Sequence, residues 1–289
     1  DEDCSECFIT TWETTSNNES ILIGTYAASS AYGEYNYQVD WNGDGDYVDA
    51  NETTAFTGDA THDFGTAGTY TINIKGDFPA IYFNNAGDKD KIQTVQQWGT
   101  GVWTSMERAF YGCGNLSITD TNAPDLSGVT IMNLMFAESG INQDINNWDV
   151  STITQMYRLF FNSSFDQPLN LWDTSNVVNM RGIFHANPAF NQDISDWDVG
   201  KVTNFSQLFL TNISAPGSFT YDLSQWNIGE FVSGTINMAQ MFKNQISFNE
   251  NLNSWDVSKV SDMTQMFEGA TSFDQNLSDW DISSATLMG

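Results

Sequence analysis

Basic residues are scarce in this chain, which has 9 lysines and arginines against 37 aspartates and glutamates in 289 residues. The resulting net charge of −28 argues against electrostatic binding to nucleic acid or to an anionic membrane surface. It suits a calcium-rich or saline exterior, or a basic partner. Apolar residues make up 40% of the chain and aromatic residues 14%, which is enough for a core, so the charge does not indicate disorder.

Long hydrophobic runs are also missing. No apolar run approaches the 18 or so residues that a membrane-spanning helix needs, and no signal-peptide pattern opens the chain. The repeat described below stops within a unit, shortly after Ile282. The sequence therefore predicts no membrane span in this chain, and it favours a longer surface protein with further repeats, a cap or an anchor beyond Gly289.

Cysteine occurs only three times, as Cys4, Cys7 and Cys113. A thioredoxin-like role for the Cys4–Cys7 pair needs a βαβ context that the sequence lacks. A zinc site needs about four ligands, and only His62 and His185 could help. The pattern favours a local Cys4–Cys7 disulfide in an oxidising compartment, with Cys113 buried as a small apolar residue, over metal or redox chemistry.

A tryptophan-centred repeat occupies the chain from about residue 80 onward. Its core, tryptophan followed by a polar and usually an apolar residue, recurs at intervals of 24 to 29 residues. The repeated tryptophans are Trp148, Trp172, Trp197, Trp226, Trp255 and Trp280. A fixed period in this range predicts a stacked repeat architecture in which neighbouring units share one core.

Each unit divides into two halves of different period. Trp148 and Val150 are two residues apart, as on one face of a strand, and Asp149 between them points the other way. The second half has helical spacing, as in Val260, Met263, Met266 and Phe267. We therefore predict an α/β repeat solenoid, right-handed and with one strand and one short helix per unit, over residues 80–289.

Two segments carry a family resemblance, one at residues 190–199 (FNQDISDWDV) and one at residues 260–267 (VSDMTQMF). They resemble the BspA-like leucine-rich repeats of bacterial surface proteins, also described as a lipoprotein-associated repeat family. The resemblance implies a leucine-rich-repeat fold and a secreted or surface-anchored, adhesin-type role. It supplies no catalytic residues.

Residues 1–79 have a different character, with short alternating segments separated by glycine and asparagine. Such segments predict a small all-β sandwich domain. The pieces at residues 39–41 and 62–72 resemble a PKD-type domain, although Asp63 and Phe64 depart from the usual pattern of that family. No proline- or glycine-rich linker separates this part from the repeats, so we expect the two domains to pack directly.

An acidic loop lies inside the N-terminal part, between residues 40 and 52. Oxygen-bearing side chains at every second position, with Gly45 at the sixth, match the first half of an EF-hand loop. The loop is not an EF-hand proper, because Glu52 falls at position thirteen and no amphipathic helices flank it. The alternative is an acidic hairpin turn. We predict a Ca²⁺ site formed by Asp40, Asn42, Asp44, Asp46, Asp49 and Glu52.

A column of acids follows from the repeat itself. If each tryptophan and the apolar residue two positions later point into the core, the residue between them faces outward. We predict that this column is a ligand-binding face, formed by Asp149, Asp173, Asp198, Asn227, Asp256 and Asp281. The alternative is a local turn in which each aspartate bonds to the following serine or threonine and the backbone.

Three functions remain in competition. A non-catalytic cell-surface or secreted protein that binds a protein or glycan ligand fits the repeats best. A stiff spacer of a larger surface protein fits almost as well. A glycan hydrolase is less favoured, because a catalytic pair of carboxylates should break the pattern, whereas these acids recur once per unit. No nucleophile-elbow, zinc-protease or phosphate-loop motif is present.

Overall fold

A computed structural model describes residues 4–26 and 32–289. Within these ranges the chain consists of strands, isolated bridges and turns, without a helix. The predicted α/β solenoid is therefore wrong, because the described chain is all-β with small sheets. The strands are β1 (Phe8–Thr14), β2 (Ser20–Ile23), β3 (Asn36–Asp40), β4 (Ala60–Asp63), β5 (Gly68–Asp77), β6 (Ile92–Gln97), β7 (Ser117–Ile118), β8 (Ile236–Asn237) and β9 (Val260–Asp262).

The largest sheet crosses from the N-terminal part into the repeats. Its strand order is β3-β5-β1-β6-β7. The central strand β1 pairs antiparallel with both β5 and β6, so that Trp12 faces Tyr70 on one side and Ile92 on the other. Strand β6 then pairs parallel with β7 through Thr94 and Ser117. Residues 1–79 therefore do not form a sandwich closed on itself, since β1 lies against a strand from beyond residue 80.

Aromatic side chains fill the contact between the two parts. The ring centroid of Phe8 lies 5.8 Å from that of Trp98 and 5.0 Å from that of Trp103. Trp98 in turn meets Trp148 edge-on at 5.4 Å. All four rings are buried, so one continuous core joins the N-terminal sheet to the first repeats.

The segments predicted as helices are consecutive turns. In each unit a residue near the middle of the segment is left-handed, as Leu134 (φ 57°) and Gln265 (φ 54°) are. A non-glycine residue in this conformation interrupts an α-helix. Alternate N–H groups donate to the next unit instead of one turn back, as from Leu134 to the Tyr157 carbonyl at 2.8 Å and from Phe136 to that of Leu159 at 3.0 Å.

The apolar spacing predicted a helix wrongly, because consecutive turns of this shape also place every third or fourth residue on one side of the chain. Val129, Met132 and Phe136 are all buried, although no helix carries them. The parallel bridges between units pass through this half, and not through the tryptophan half that was predicted as strand. They join Ile131 to Gln155, Gln155 to Asn179, Asn179 to Asn204, and Asn204 to Asn237.

Two buried columns hold the units together. Phenylalanine rings of successive units stack 5.5 to 6.0 Å apart, at Phe110, Phe136, Phe160, Phe184, Phe209, Phe242 and Phe267. The repeated tryptophans bond across units: the indole N–H of Trp197 donates to the carbonyl of Leu169 at 2.9 Å, and that of Trp226 to the carbonyl of Ile194 at 3.0 Å. A leucine could fill this space but could not satisfy the buried carbonyl.

Candidate functional site

The acidic loop is built around Asp40, the last residue of β3. Its side chain is fully buried and accepts bonds from the backbone N–H of Gly43 at 2.6 Å and of Gly45 at 2.9 Å. The side-chain amide of Asn73, from β5, donates a third at 2.7 Å. Both glycines have positive φ, 70° and 90°, so the turn that cradles this carboxylate depends on them.

A second carboxylate is buried at the other end of the loop. Glu52 is only 2% exposed, and its Oε1 accepts the backbone N–H of Trp41 at 2.8 Å. Its Oε2 is buried without a hydrogen-bond partner. Burial raises the pKa of Glu52, and the negative charges of Asp40 and Asp49 raise it further. The loop therefore closes on two buried carboxylates, one of them incompletely paired.

The remaining predicted calcium ligands lie in the exposed part of the loop. Asp44 and Asp46 each accept a backbone N–H two residues on, at 3.0 Å. The amide of Asn42 donates to Asp44 at 3.1 Å and to Asp49 at 3.0 Å. Among the residues that the structure describes, no three acidic, histidine or cysteine side chains are grouped so as to hold a metal ion. The calcium site stays a prediction.

The acid column has one repeated geometry. In five of its six positions the aspartate Oδ1 accepts the backbone N–H two residues on at 3.0 Å, from Ser151, Ser175, Gly200, Ser258 and Ser283. Bonds from the following serines lower the pKa of Asp149, Asp256 and Asp281. These turns account for an aspartate at each position, and a ligand-binding role for the column remains a prediction.

The sixth position, Asn227, bonds differently. Its Oδ1 accepts the N–H of Val199 at 2.9 Å, and its amide donates to Asp198 at 2.9 Å and to Glu230 at 2.8 Å. An amide can donate where an aspartate cannot. Asn227 therefore neutralises part of the charge repulsion at one step of the column.

Cys4 and Cys7 are joined in a disulfide. The side-chain amide of Gln97, at the end of β6, donates to the carbonyl of Cys4 at 2.8 Å and to that of Cys7 at 2.7 Å. The disulfide thus ties the first described residues to the main sheet. Cys113 is a free, buried thiol, and burial raises its pKa well above the ordinary value, which makes it unreactive.

Sequence reasoning missed a basic and aromatic group of side chains on the side of the stack where the left-handed residues lie, here called the turn face. Arg108 and Arg158 stand two residues before the stacked phenylalanine of their units, and Arg181 stands three before. These are all the arginines of the chain. Their positions, all within three residues of the stacked phenylalanine, were the available signal, which the overall composition does not reveal.

The turn face continues as a ladder of amides. Gln207 donates to Gln240 at 2.9 Å, and Gln240 donates to Gln265 at 2.8 Å. Lys243 bonds to Gln265 at 2.9 Å and pairs with Glu268 at 3.1 Å. The three glutamines occupy the same left-handed position in successive units, with φ of 62°, 60° and 54°. Successive units therefore present polar groups in register along this face.

Comparison with known proteins gives one result. A family model described as "Mycoplasma protein of unknown function, DUF285" matches residues 80–177, 138–232 and 214–289. No curated protein and no solved structure matches the chain. Within residues 4–26 and 32–289, no helix has the length and hydropathy needed to cross a bilayer.

These findings overturn the resemblances drawn from the sequence. The matching family is not described as a leucine-rich repeat, and the described units contain no helix, so the BspA-like leucine-rich-repeat interpretation is wrong. The PKD-like interpretation of the N-terminal part is also unsupported, because no such relative is found and its central strand β1 pairs with β6 of the next segment. The short sequence motifs around tryptophan and phenylalanine resemble those of the two families, but they do not determine the backbone conformation, which contains no helix in the described units.

Proposed function

We propose that this chain, which belongs to the family described as "Mycoplasma protein of unknown function, DUF285", is a non-catalytic binding protein of the cell surface or the exterior. The observation that carries the proposal is the turn face, where in-register side chains of successive units offer amide and guanidinium groups. Repeated groups at a constant step suit an extended protein or glycan ligand.

The acid column supports the proposal less strongly. Its aspartates already accept bonds from their own backbone, which explains their presence without a ligand. Four of the six residues are nevertheless exposed, and their second carboxylate oxygens can accept hydrogen bonds from a basic or hydroxyl-rich partner.

A binding screen tests the proposal. The purified chain is presented to arrays of glycans and of cell-surface proteins, with and without calcium. A binding protein gives saturable binding that falls when Gln207, Gln240 and Gln265 are changed together to alanine, and that survives Asp149→Asn with Asp256→Asn. A stiff spacer gives no saturable binding on any array, and turnover of a glycan abolished by one substitution points to an enzyme.

Calcium binding by the acidic loop is the second part of the proposal. The buried Oε2 of Glu52 has no hydrogen-bond partner and lies in the same loop as the buried, hydrogen-bonded carboxylate of Asp40, and hard oxygen donors suit Ca²⁺. Asp40, Asn42, Asp44 and Asp46, with Asp49 or Glu52, supply the donors once the exposed side chains turn inward. Calorimetric titration of the full chain tests this, with loss of heat on Asp44→Ala as the expected result.

An extracellular location follows from the same reasoning. The Cys4–Cys7 disulfide persists in oxidising compartments, and millimolar calcium is available outside cells. Labelling of intact cells with antibodies to the chain, compared with labelling of lysed cells, tests the location.

A further inference from the structure

A cleft of about 500 Å³ lies beside the short strand β4 in the N-terminal part. Three consecutive residues of β4 line it, namely Thr61, His62 and Asp63. Because neighbouring residues of a strand point to opposite faces of its sheet, a cleft that touches all three lies along the edge of β4. The remaining walls are formed by Trp41 and by residues of the segment 51–56.

The edge of β4 that borders the cleft has no neighbouring strand. Within the described chain β4 pairs only with β2, where Leu22 lies opposite Thr61. The N–H of Leu22 donates to the carboxylate of Asp88 at 2.6 Å, so it points away from β4. Opposite residues of an antiparallel pair alternate between bonding to each other and directing their backbone groups outward. The backbone groups of Thr61 therefore point outward from the pair, and so do those of Asp63, two residues further on.

The backbone groups at this edge are available for pairing. No described residue bonds to the backbone N–H or C=O of Thr61 or Asp63. The Oδ1 atom of Asp63 accepts the N–H of Gly65 at 2.8 Å, which leaves Oδ2 free. A strand edge with free donors and acceptors is a template for a further strand. A strand added there would lie about 4.8 Å from β4, within the cleft.

The walls of the cleft indicate which strand fits. Within the described chain no lysine or arginine lines the cleft, and Asp63 places an exposed carboxylate there. His62 stacks on the buried Trp41 at 5.1 Å, and burial lowers its pKa, so it is uncharged at neutral pH. The half-buried ring of Phe56 offers apolar surface. An acidic and apolar cleft along a free strand edge suits a basic extended peptide, as does the net charge of −28.

We propose that the open edge of β4 binds an extended, basic peptide segment of a partner protein, which adds a third strand to the β2–β4 sheet. The N–H and C=O groups of Thr61 and Asp63 bond to the peptide backbone. The Asp63 carboxylate pairs with a lysine or arginine of the peptide, and an apolar side chain packs on Phe56. Main-chain pairing supplies the affinity and the walls supply the preference. This site is separate from the turn face and does not depend on it.

Titration of the full chain with peptides, followed by NMR, tests the pairing. The first peptide is a blocked pentapeptide in which lysine alternates with threonine and valine. We expect it to slow hydrogen exchange at the N–H groups of Thr61 and Asp63 and to shift the imidazole resonance of His62, with His185 unchanged as the internal control. The same peptide N-methylated at every residue keeps its side chains but loses its donors, and should not bind. Glutamate in place of lysine should weaken binding by about tenfold or more.

Three variants separate backbone pairing from side-chain recognition. Thr61→Pro removes the outward N–H and blocks the edge, and should abolish peptide binding. Thr61→Val keeps the backbone and removes only the hydroxyl, and should bind as the wild type does. Asp63→Asn keeps an oxygen for the N–H of Gly65 and should weaken binding about two- to fivefold. Asp193→Asn is the matched control, because Asp193 also accepts a backbone bond, from Ser195 at 3.0 Å, and should change nothing.

Equal binding of the N-methylated and unmodified peptides, or no binding of either, overturns the inference. This comparison leaves the protein unchanged, so it holds even if Thr61→Pro does not fold. A response of Thr61 and His62 to glucose or N-acetylglucosamine without a response to the peptide assigns the cleft to a sugar and also overturns the inference. The triple alanine variant of Gln207, Gln240 and Gln265 should still bind the peptide, so failure of the turn face and failure of this edge are told apart.

Discussion

Glu52→Gln is the sharpest test of the calcium proposal, because its effect on stability should change sign with calcium. The variant keeps an oxygen to accept the Trp41 N–H, which Glu52 binds at 2.8 Å, and removes a negative charge next to Asp40. Glu52 is 2% exposed and its Oε2 lacks a partner. A buried, unsatisfied acceptor costs about 1–3 kcal/mol, and more when charged.

Without calcium we therefore expect Glu52→Gln to be the more stable protein. A gain of about 2 kcal/mol corresponds to a Tm increase of about 3 °C in a chain of this size, at an unfolding entropy of about 2.1 cal/mol/K per residue. The difference should depend on pH. The pKa of Glu52 is raised above its ordinary 4.5, so its stabilising contribution is full below pH 4.5 and is lost as the pH rises through the folded-state pKa. The advantage of the variant should grow between pH 4.5 and neutrality.

With calcium in excess the order should reverse. A ligand at about 100 times its Kd stabilises the folded state by about 2.7 kcal/mol, and the variant lacks one of the carboxylates that hold the ion. Calorimetric scans in EGTA and in millimolar calcium measure both differences. Asp193→Asn is the control, since Asp193 is exposed and accepts a backbone bond from Ser195 at 3.0 Å. If the Tm of Glu52→Gln differs from that of the wild type by the same amount in EGTA and in calcium, the proposed calcium site is wrong.

Three further outcomes are expected. Trp197→Phe leaves the buried carbonyl of Leu169, now bonded at 2.9 Å, without a donor, and should cost about 1–3 kcal/mol in a denaturant titration, against less for the half-buried Trp280→Phe. Because the pKa of His185 is lowered to about 4, its contribution to stability is present above pH 6.5 and lost as the pH falls toward 4, and His185→Gln should flatten that part of the pH profile. Cys113, buried and with a raised pKa, should resist alkylation in the native protein and react fully in denaturant, and rapid native labelling would contradict its burial.

The period of the repeat could be predicted from sequence, but its backbone could not. The tryptophan spacing indicated repeated units, and the burial of Val129, Met132 and Phe136 shows that these residues point inward. A helix and a run of turns with one left-handed residue both place such residues on one side. What decides between them is the bond from the N–H of Leu134 to the Tyr157 carbonyl, and it joins residues 23 positions apart.

The acidic loop could be found from the sequence, whereas the group of arginines could not. Asp40 and Glu52 stood out because their loop is a local pattern, and the structure adds that both are buried. The arginine group did not stand out, because Arg158 and Arg181 are 23 residues apart and become neighbours only when two units stack.

In a chain with 37 acidic and only 9 basic residues, the basic side chains are more informative about a binding site than the acidic ones. An aspartate at the repeated turn position has a structural role, because its carboxylate accepts a backbone N–H of the turn, as Asp149 does from Ser151. A pair of guanidinium groups without acidic partners in the described chain has no such local explanation, because cation–π contacts offset only part of the cost of placing like charges together. The guanidinium groups of Arg158 and Arg181 lie 5.3 and 5.6 Å from the ring centroid of Tyr157, so this pair of charges is concentrated around one aromatic side chain.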